Sequence, residues 1–137
     1  MNLPKRTPYE QFVLPFEQKL IAGIHEMGCA TRLHICGNTR RILKGMAQTG
    51  ASMIDLDYPS PVKEARAASG ARQVLSGNLD PVRTIHDGTP EVITKAVAEC
   101  HAQAGAHYIV CAGCEIPRGT PPENLKALVS YAQQHRA

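Results

Sequence analysis

Thr31-Arg32-Leu33-His34-Ile35-Cys36-Gly37-Asn38 reads as a short apolar strand that ends in a His-x-Cys pair. Residues two apart on a strand point to the same face, so the His34 imidazole and the Cys36 thiol project together from its C-terminal end. A third candidate ligand lies far along the chain in Cys111-Ala112-Gly113-Cys114-Glu115-Ile116-Pro117, directly after the apolar run Tyr108-Ile109-Val110. His34, Cys36 and Cys114 are expected to form a His/Cys/Cys set with a fourth position open. That pattern describes a catalytic zinc site, since structural sites are normally closed by four protein ligands.

Outward from this stretch the chain alternates between helical and strand patterns. Thr7-Pro8-Tyr9-Glu10 spells a capping box, with Thr at the N-cap, Pro at the first helical position and Glu three after the cap. Pro15 breaks or restarts that helix, and Phe16, Leu20, Ile24 and Met27 recur at helical spacing up to Gly28. After the His34 strand, Asn38 or Thr39 is expected to cap a helix to about Gln48, with Ile42, Leu43 and Met46 on its buried side. Ser52 to Asp57 alternates as a second strand, and Ser60-Pro61 is expected to open a short helix to about Ser69. Gln73 to Gly77 is a third strand, closed by a helical turn behind Asp80-Pro81. Thr89-Pro90 opens a helix that Gly105 stops, and His107 to Cys111 is the fourth strand. Thr120-Pro121-Pro122-Glu123 spells a second capping box, opening a last helix with Leu125, Leu128, Val129 and Ala132 along one side.

Strands alternating with helices imply parallel strands joined by crossovers. Two architectures satisfy that order: an open doubly wound sheet, or part of a (β/α)8 barrel. The strands place Arg32, His34, Cys36, Asp55 and Asp57 on one face. A barrel interior opening onto a C-terminal rim accommodates that polarity better than a sheet buried on both sides. The expected fold class is α/β, half of a (β/α)8 TIM barrel with four parallel β-α units and a leading helix, in a single domain over residues 1–137. Left alone, such a half-barrel has two unpaired edges, and the face carrying Leu75, Ile109 and Cys111 is expected to meet water. A homodimer, or a partner supplying the N-terminal half-barrel, is the expected cover.

Composition narrows the classes further. A chain of 137 residues with 43% hydrophobic content can bury a core, and no apolar run is long enough to cross a bilayer. The net charge of +3 comes without a Lys/Arg cluster, and four Tyr, two Phe and no Trp give few stacking platforms, which argues against nucleic acid. Met1 to Arg6 shows no leader pattern, and five cysteines is an odd number, so reduced thiols in a cytoplasm are expected.

Several residues carry alternative readings. Asp55 and Asp57 close the second strand toward the same rim. Either could orient His34 through its free ring nitrogen, fill the open zinc position, or stay solvated. Asn78 and Asp80 could line the pocket, with an N-cap as the plain reading for Asp80. Glu115 is a rim charge or a pocket residue. Cys111 and Cys114 form a Cys-x-x-Cys that could be a redox pair, but Pro117 follows at once. Cys111 is expected to pack within its strand, and Cys29 and Cys100 are expected to be inert.

His34-Ile35-Cys36-Gly37-Asn38, Gly77-Asn78-Leu79-Asp80-Pro81, and Gly113-Cys114-Glu115-Ile116-Pro117 with Thr120-Pro121-Pro122-Glu123-Asn124 resemble, in order and spacing, the C-terminal half of the uroporphyrinogen decarboxylase superfamily. Phe12-Val13-Leu14-Pro15 fits the approach to that half, and the resemblance runs over roughly residues 8 to 135. Within the superfamily the chain looks like the zinc-dependent methylcobamide:thiol methyltransferase branch, with the coenzyme M methyltransferases as the familiar case. True decarboxylases of the family need no metal, carry Gly-His-Gly where this chain has Gly113-Cys114-Glu115, and lack the His-x-Cys pair. The resemblance therefore implies Zn2+ at His34, Cys36 and Cys114, a small-molecule thiol substrate, and methylcobalamin as methyl donor on a separate corrinoid protein. Asp55, Asp57 and Asn78 are the candidate residues for contact with the bound groups, and the resemblance implies that the family's N-terminal half is absent here. A catalytically silent zinc-binding half-barrel fragment, or an accessory subunit, is the alternative reading, and a true uroporphyrinogen decarboxylase is disfavoured.

The chemistry stands apart from the family. Methyl transfer to a thiol needs a thiolate, and an unassisted thiol has a pKa near about 8.5. Zinc deprotonates a coordinated thiol outright. One neutral imidazole and two thiolates leave the zinc site formally neutral before substrate arrives, so a bound substrate sulfur remains nucleophilic.

Overall fold

The computed structural model describes residues 6–136, so the Met1–Lys5 stretch read for a leader lies outside the described residues. The elements are α1 (Pro8–Phe12), α2 (Leu14–Glu26), β1 (Arg32–Ile35), α3 (Leu43–Ala47), β2 (Met53–Leu56), α4 (Val62–Ser69), β3 (Val74–Leu79), α5 (Pro90–Ala104), β4 (Tyr108–Ala112) and α6 (Pro122–Gln134). A π-helical turn, Pro81–His86, follows β3.

The four strands form one parallel sheet in the order β1-β2-β3-β4, each strand beside its neighbour in sequence. The β-α alternation and this order are those of one section of a (β/α)8 barrel. The helices pack on one face, where Ile54, Leu56, Leu75 and Leu79 are buried beneath α3, α4 and α5. The other face carries Arg32, His34, Asp55, Ser76, Asn78, Ile109 and Cys111. Leu75 corrects the expectation that it lies on the open face. It pairs with Leu33's neighbour Ile54 on one side and Tyr108 on the other, and it is fully buried on the helix side. Ile109, one register step on, is the residue that meets solvent.

Local chemistry sets the helix starts. The Thr7 hydroxyl accepts from the Glu10 amide while the Glu10 carboxylate accepts from the Thr7 amide, completing the capping box, and Pro15 falls in the first turn of α2. Asp80 accepts from the Val82 and Arg83 amides, the N-cap role of its plain reading. Three starts differ from expectation. α3 begins at Leu43 because Thr39 is engaged elsewhere, with its amide and hydroxyl both on the Ser60 hydroxyl. Ser60 therefore caps nothing, and Pro61 holds the N-cap position of α4. The second capping box does not form. Pro121 takes the N-cap of α6 and the Thr120 hydroxyl turns back to the Pro117 carbonyl. α6 is instead pinned by Asn124, whose buried amide donates to the Ile85 and Gly88 carbonyls.

Two apolar stripes read as helix faces lie in solvent. Leu20 is 65% exposed on α2, beside exposed Phe16 and Met27, and Val129 is 56% exposed on α6. They sit at opposite ends of the sheet, α2 leading into β1 and α6 following β4. The α6 stripe walls a groove of about 450 Å³ with Val110 and Ile116. Among the described residues, β1 and β4 each have a single strand partner. No helix among the described residues is long and apolar enough to cross a membrane.

Candidate metal centre

His34, on β1, and Cys36, just past its end, follow the strand alternation onto the open face. The turn behind them is clamped to the loop after β2. The Gly37 amide donates to Asp57 Oδ2 at 2.6 Å, and the Ser60 hydroxyl donates to the Gly37 carbonyl at 3.0 Å. Asp57 is buried and its other oxygen accepts from the Tyr58 amide at 2.7 Å, so the carboxylate is occupied by backbone. Asn78, from β3, holds the same loop by donating to the Asp57 and Ser60 carbonyls, each at 2.7 Å.

Cys114 comes from the loop after β4. The Gly113 amide donates to the Leu79 carbonyl at 2.7 Å, which carries the chain back over the strand ends. A Cβ at Gly113 would lie 2.4 Å from the Tyr58 nitrogen, so only glycine lets this loop press against the loop after β2. Gly77, at φ +97°, serves the same end in β3, where a Cβ would lie 2.2 Å from the Leu56 carbonyl oxygen.

These loops bring the three predicted ligands together. The Cys36 sulfur lies 3.3 Å from His34 Nε2 and 3.9 Å from the Cys114 sulfur, and the three donor atoms all lie within 4.8 Å of one another. A tetrahedral zinc with Zn–S of about 2.3 Å and Zn–N of about 2.0 Å has ligand–ligand edges of roughly 3.8 Å for S···S and 3.5 Å for S···N. The donor types fit zinc, as do the distances from the Cys36 sulfur to the other two donors. Cys36 is exposed and the other two are half-buried, so the trio is open on one side. Cys114, as hydrogen-bond partner and then as a like charge, pushes the Cys36 thiol above its ordinary value. A cation between the two sulfurs reverses that repulsion.

Behind His34, Nδ1 lies 2.8 Å from Asp55 Oδ2. The contact is close without the alignment of a full hydrogen bond, and Nδ1 has no other partner among the described residues. Asp55 is buried, and it also accepts from the Ser76 hydroxyl at 2.7 Å and from Arg32. Cys111 lies on the open face as expected, half-buried and outside the ligand trio, with its sulfur 3.7 Å from Arg32 Nη2, and burial raises its thiol pKa. Cys29 is exposed and Cys100 half-buried, and neither joins the trio. Sequence reasoning missed Arg32, Ser60, Ser76 and Gly113 as parts of the site. The strand alternation that marked His34 also marks Arg32 and Ser76, whereas Ser60 and Gly113 act through loop contacts that no spacing announces.

Known proteins match this chain over most of its length. A family model described as uroporphyrinogen decarboxylase (URO-D) matches residues 3–135. A methylcobamide:CoM methyltransferase of Methanosarcina mazei is 37% identical over 128 residues, 93% of this chain and 37% of the relative. A uroporphyrinogen decarboxylase of Streptomyces avermitilis is 30% identical over 130 residues, 94% of this chain and 36% of the relative. A solved structure titled as a methyltransferase from Methanosarcina mazei superposes with a TM-score of 0.81 at 30% identity, covering 92% of this chain and 36% of that one. The chain thus spans a little over a third of the length of these relatives. With its sequence matched almost from end to end and its fold superposed, the chain belongs to the uroporphyrinogen decarboxylase (URO-D) family.

Proposed function

We propose that this chain carries the zinc site of a methylcobamide:thiol methyltransferase, with Zn2+ held by His34, Cys36 and Cys114 and a small-molecule thiol as the fourth ligand. The observation that carries the reading is the convergence of one imidazole nitrogen and two sulfurs within 4.8 Å, from the two ends of the sheet. Zinc, when bound, keeps the substrate thiol deprotonated and nucleophilic at neutral pH. The residues supply the rest. His34 offers Nε2 and carries its proton on Nδ1, the atom facing Asp55. Cys36 and Cys114 bring two negative charges. Asp57 and Asn78 act on the bound groups by holding the loops that present Cys36.

The names of the methylcobamide:CoM methyltransferase relatives support a methylcobamide as methyl donor and coenzyme M or a similar thiol as acceptor; in this reading the donor is methylcobalamin on a separate corrinoid protein. The decarboxylase relatives support the fold equally, but a decarboxylase has no use for this donor set. The open strand edges and exposed stripes on α2 and α6 support a homodimer in which each copy covers the other's open face. They also favour a second reading, a zinc-holding chain that is silent, or accessory to a longer relative, until that face is covered. The test is metal analysis after zinc reconstitution, followed by thiol methylation with free methylcobalamin and coenzyme M. One zinc per chain and a methyl thioether product support the proposal. Zinc without product leaves the second reading, and absence of zinc overturns both.

A further inference from the structure

Arg32 stands two residues before His34 on the same face of β1, touches none of the three donor atoms, and has no role in the reading above. It is nevertheless joined to the metal centre through one buried oxygen. His34, Asp55 and Ser76 are directly opposite one another across β1, β2 and β3. The Asp55 side chain is 1% exposed, and a carboxylate that is so buried must be paired and hydrogen-bonded to persist. Its Oδ1 accepts from Ser76. Its Oδ2 accepts from Arg32 Nε at 3.1 Å and Nη2 at 2.5 Å, and the same Oδ2 lies 2.8 Å from His34 Nδ1. With both oxygens engaged, Asp55 cannot swing out to ligate a metal without abandoning Arg32.

An imidazole on a strand end can rotate about two bonds, and the direction of Nε2 depends on what Nδ1 faces. Only Asp55 faces it among the described residues. The position of Oδ2, in turn, depends on the guanidinium that takes two of its contacts from β1 itself. We propose that Arg32, acting through Asp55 with Ser76 as the second support, is a positioning residue that aims His34 Nε2 at the metal. Arg32 suits this task because its planar fork places two donors on one oxygen, which a lysine ammonium does not reproduce. The guanidinium also reaches the Cys111 sulfur at 3.7 Å, tying the β1 end of the site to β4. In a flat sheet those strands stand roughly 14 Å apart, so the contact exists only because the open face is concave.

This proposal rests on the zinc reading and is tested so that the two fail separately. Zinc affinity of the full chain is measured by competition with a chromophoric chelator, and the absorption spectrum of the Co2+-loaded protein reports ligand geometry. The variants are Arg32→Met, Arg32→Lys, Asp55→Asn, Ser76→Ala and, as a control, Arg40→Met, which breaks an exposed pair with Glu64 that contacts neither Asp55 nor a donor atom. Loss of a group that orients a ligating histidine costs about 10- to 100-fold in metal affinity. Arg32→Met and Asp55→Asn are expected to show that loss with altered Co2+ bands. Arg32→Lys recovers part of it, Ser76→Ala loses less, and Arg40→Met matches wild type. Wild-type zinc affinity and an unchanged Co2+ spectrum in Arg32→Met and Asp55→Asn, even with lowered thermal stability, overturn the proposal alone. If Arg32→Met does not fold, the near-isosteric Asp55→Asn decides. A wild-type chain that takes up no zinc overturns the zinc reading and this proposal with it.

Discussion

The sulfurs of Cys36 and Cys114 lie 3.9 Å apart although 78 positions separate them in the chain. One stands at the end of the first strand and the other past the end of the last, so the full width of the sheet lies between their strands. The curvature of the open face and the loop that Gly113 presses against Tyr58 close that gap. Zinc stoichiometry follows from it. Cys36→Ser, Cys114→Ser and His34→Ala are each expected to lose zinc, whereas Cys29→Ser and Cys100→Ser retain it. Elemental analysis of the purified variants checks this, and equal zinc in all five rejects the assignment.

Gly113 has no room for a side chain. In Gly113→Ala the new methyl meets the Tyr58 backbone at 2.4 Å, so the loop carrying Cys114 has to move. Overpacking of this kind costs about 1–3 kcal/mol. The expected result is a lowered melting temperature together with at least about a tenfold loss of zinc affinity. A variant with wild-type affinity means that the loop reaches Cys36 without the close approach.

Asn78 is a support whose removal separates loop anchoring from ligation. Asn78→Ala deletes two hydrogen bonds and leaves the Asp57 and Ser60 carbonyls without that donor. Losses of that sort amount to about 1–3 kcal/mol. Denaturant unfolding of the zinc-free chain reads this directly. No loss of stability there means that Asn78 serves the bound groups rather than the loop.

Cys100 gives a pH dependence of known sign. Burial raises its thiol pKa in the folded chain. An unfolded thiol releases its proton near about pH 8.5, while the folded one holds it to higher pH. The unfolded state then binds fewer protons, and stability falls as pH rises from about 8.5 through the raised folded value. Cys100→Ala is expected to flatten that alkaline decline relative to wild type in unfolding curves from about pH 8 to pH 10. Parallel curves contradict it. Iodoacetamide is likewise expected to label exposed Cys29 well before Cys100.

The exposed stripes give the assembly prediction. If a second copy covers the open face, Leu20→Glu on α2 and Val129→Glu on α6 each place a charge in the interface and shift sedimentation from dimer to monomer. Both positions are exposed in the single chain, so neither substitution disturbs its core. A wild-type chain that sediments as a monomer at micromolar concentration overturns the dimer.

Much of this molecule is local chemistry and is legible in one dimension. The capping box at Thr7 and Glu10 and the N-cap at Asp80 are contacts between residues within three positions of each other, so spacing alone reports them. The alternation of β1 and β2 put Arg32, His34, Asp55 and Asp57 on one side for the same reason, since a strand repeats every two residues. The β-α order required parallel strands, and the motif pattern around His34 and Cys114 pointed to the family that the comparisons show. Contacts between distant segments decided the rest. Thr39 and Ser60 both look like helix caps, but once the β1 and β2 loops meet, their hydroxyls bond each other and α3 starts late. Leu75 looks like any strand residue until pairing with Ile54 and Tyr108 turns it to the helices. Asp55 and Asp57 are two carboxylates on one strand. Only the neighbouring strand places His34 and Arg32 beside the first, and only the turn after Cys36 brings the Gly37 amide to the second. Which oxygen faces which donor depends on strand register and loop closure, and neither is encoded in the spacing of residues along a single segment.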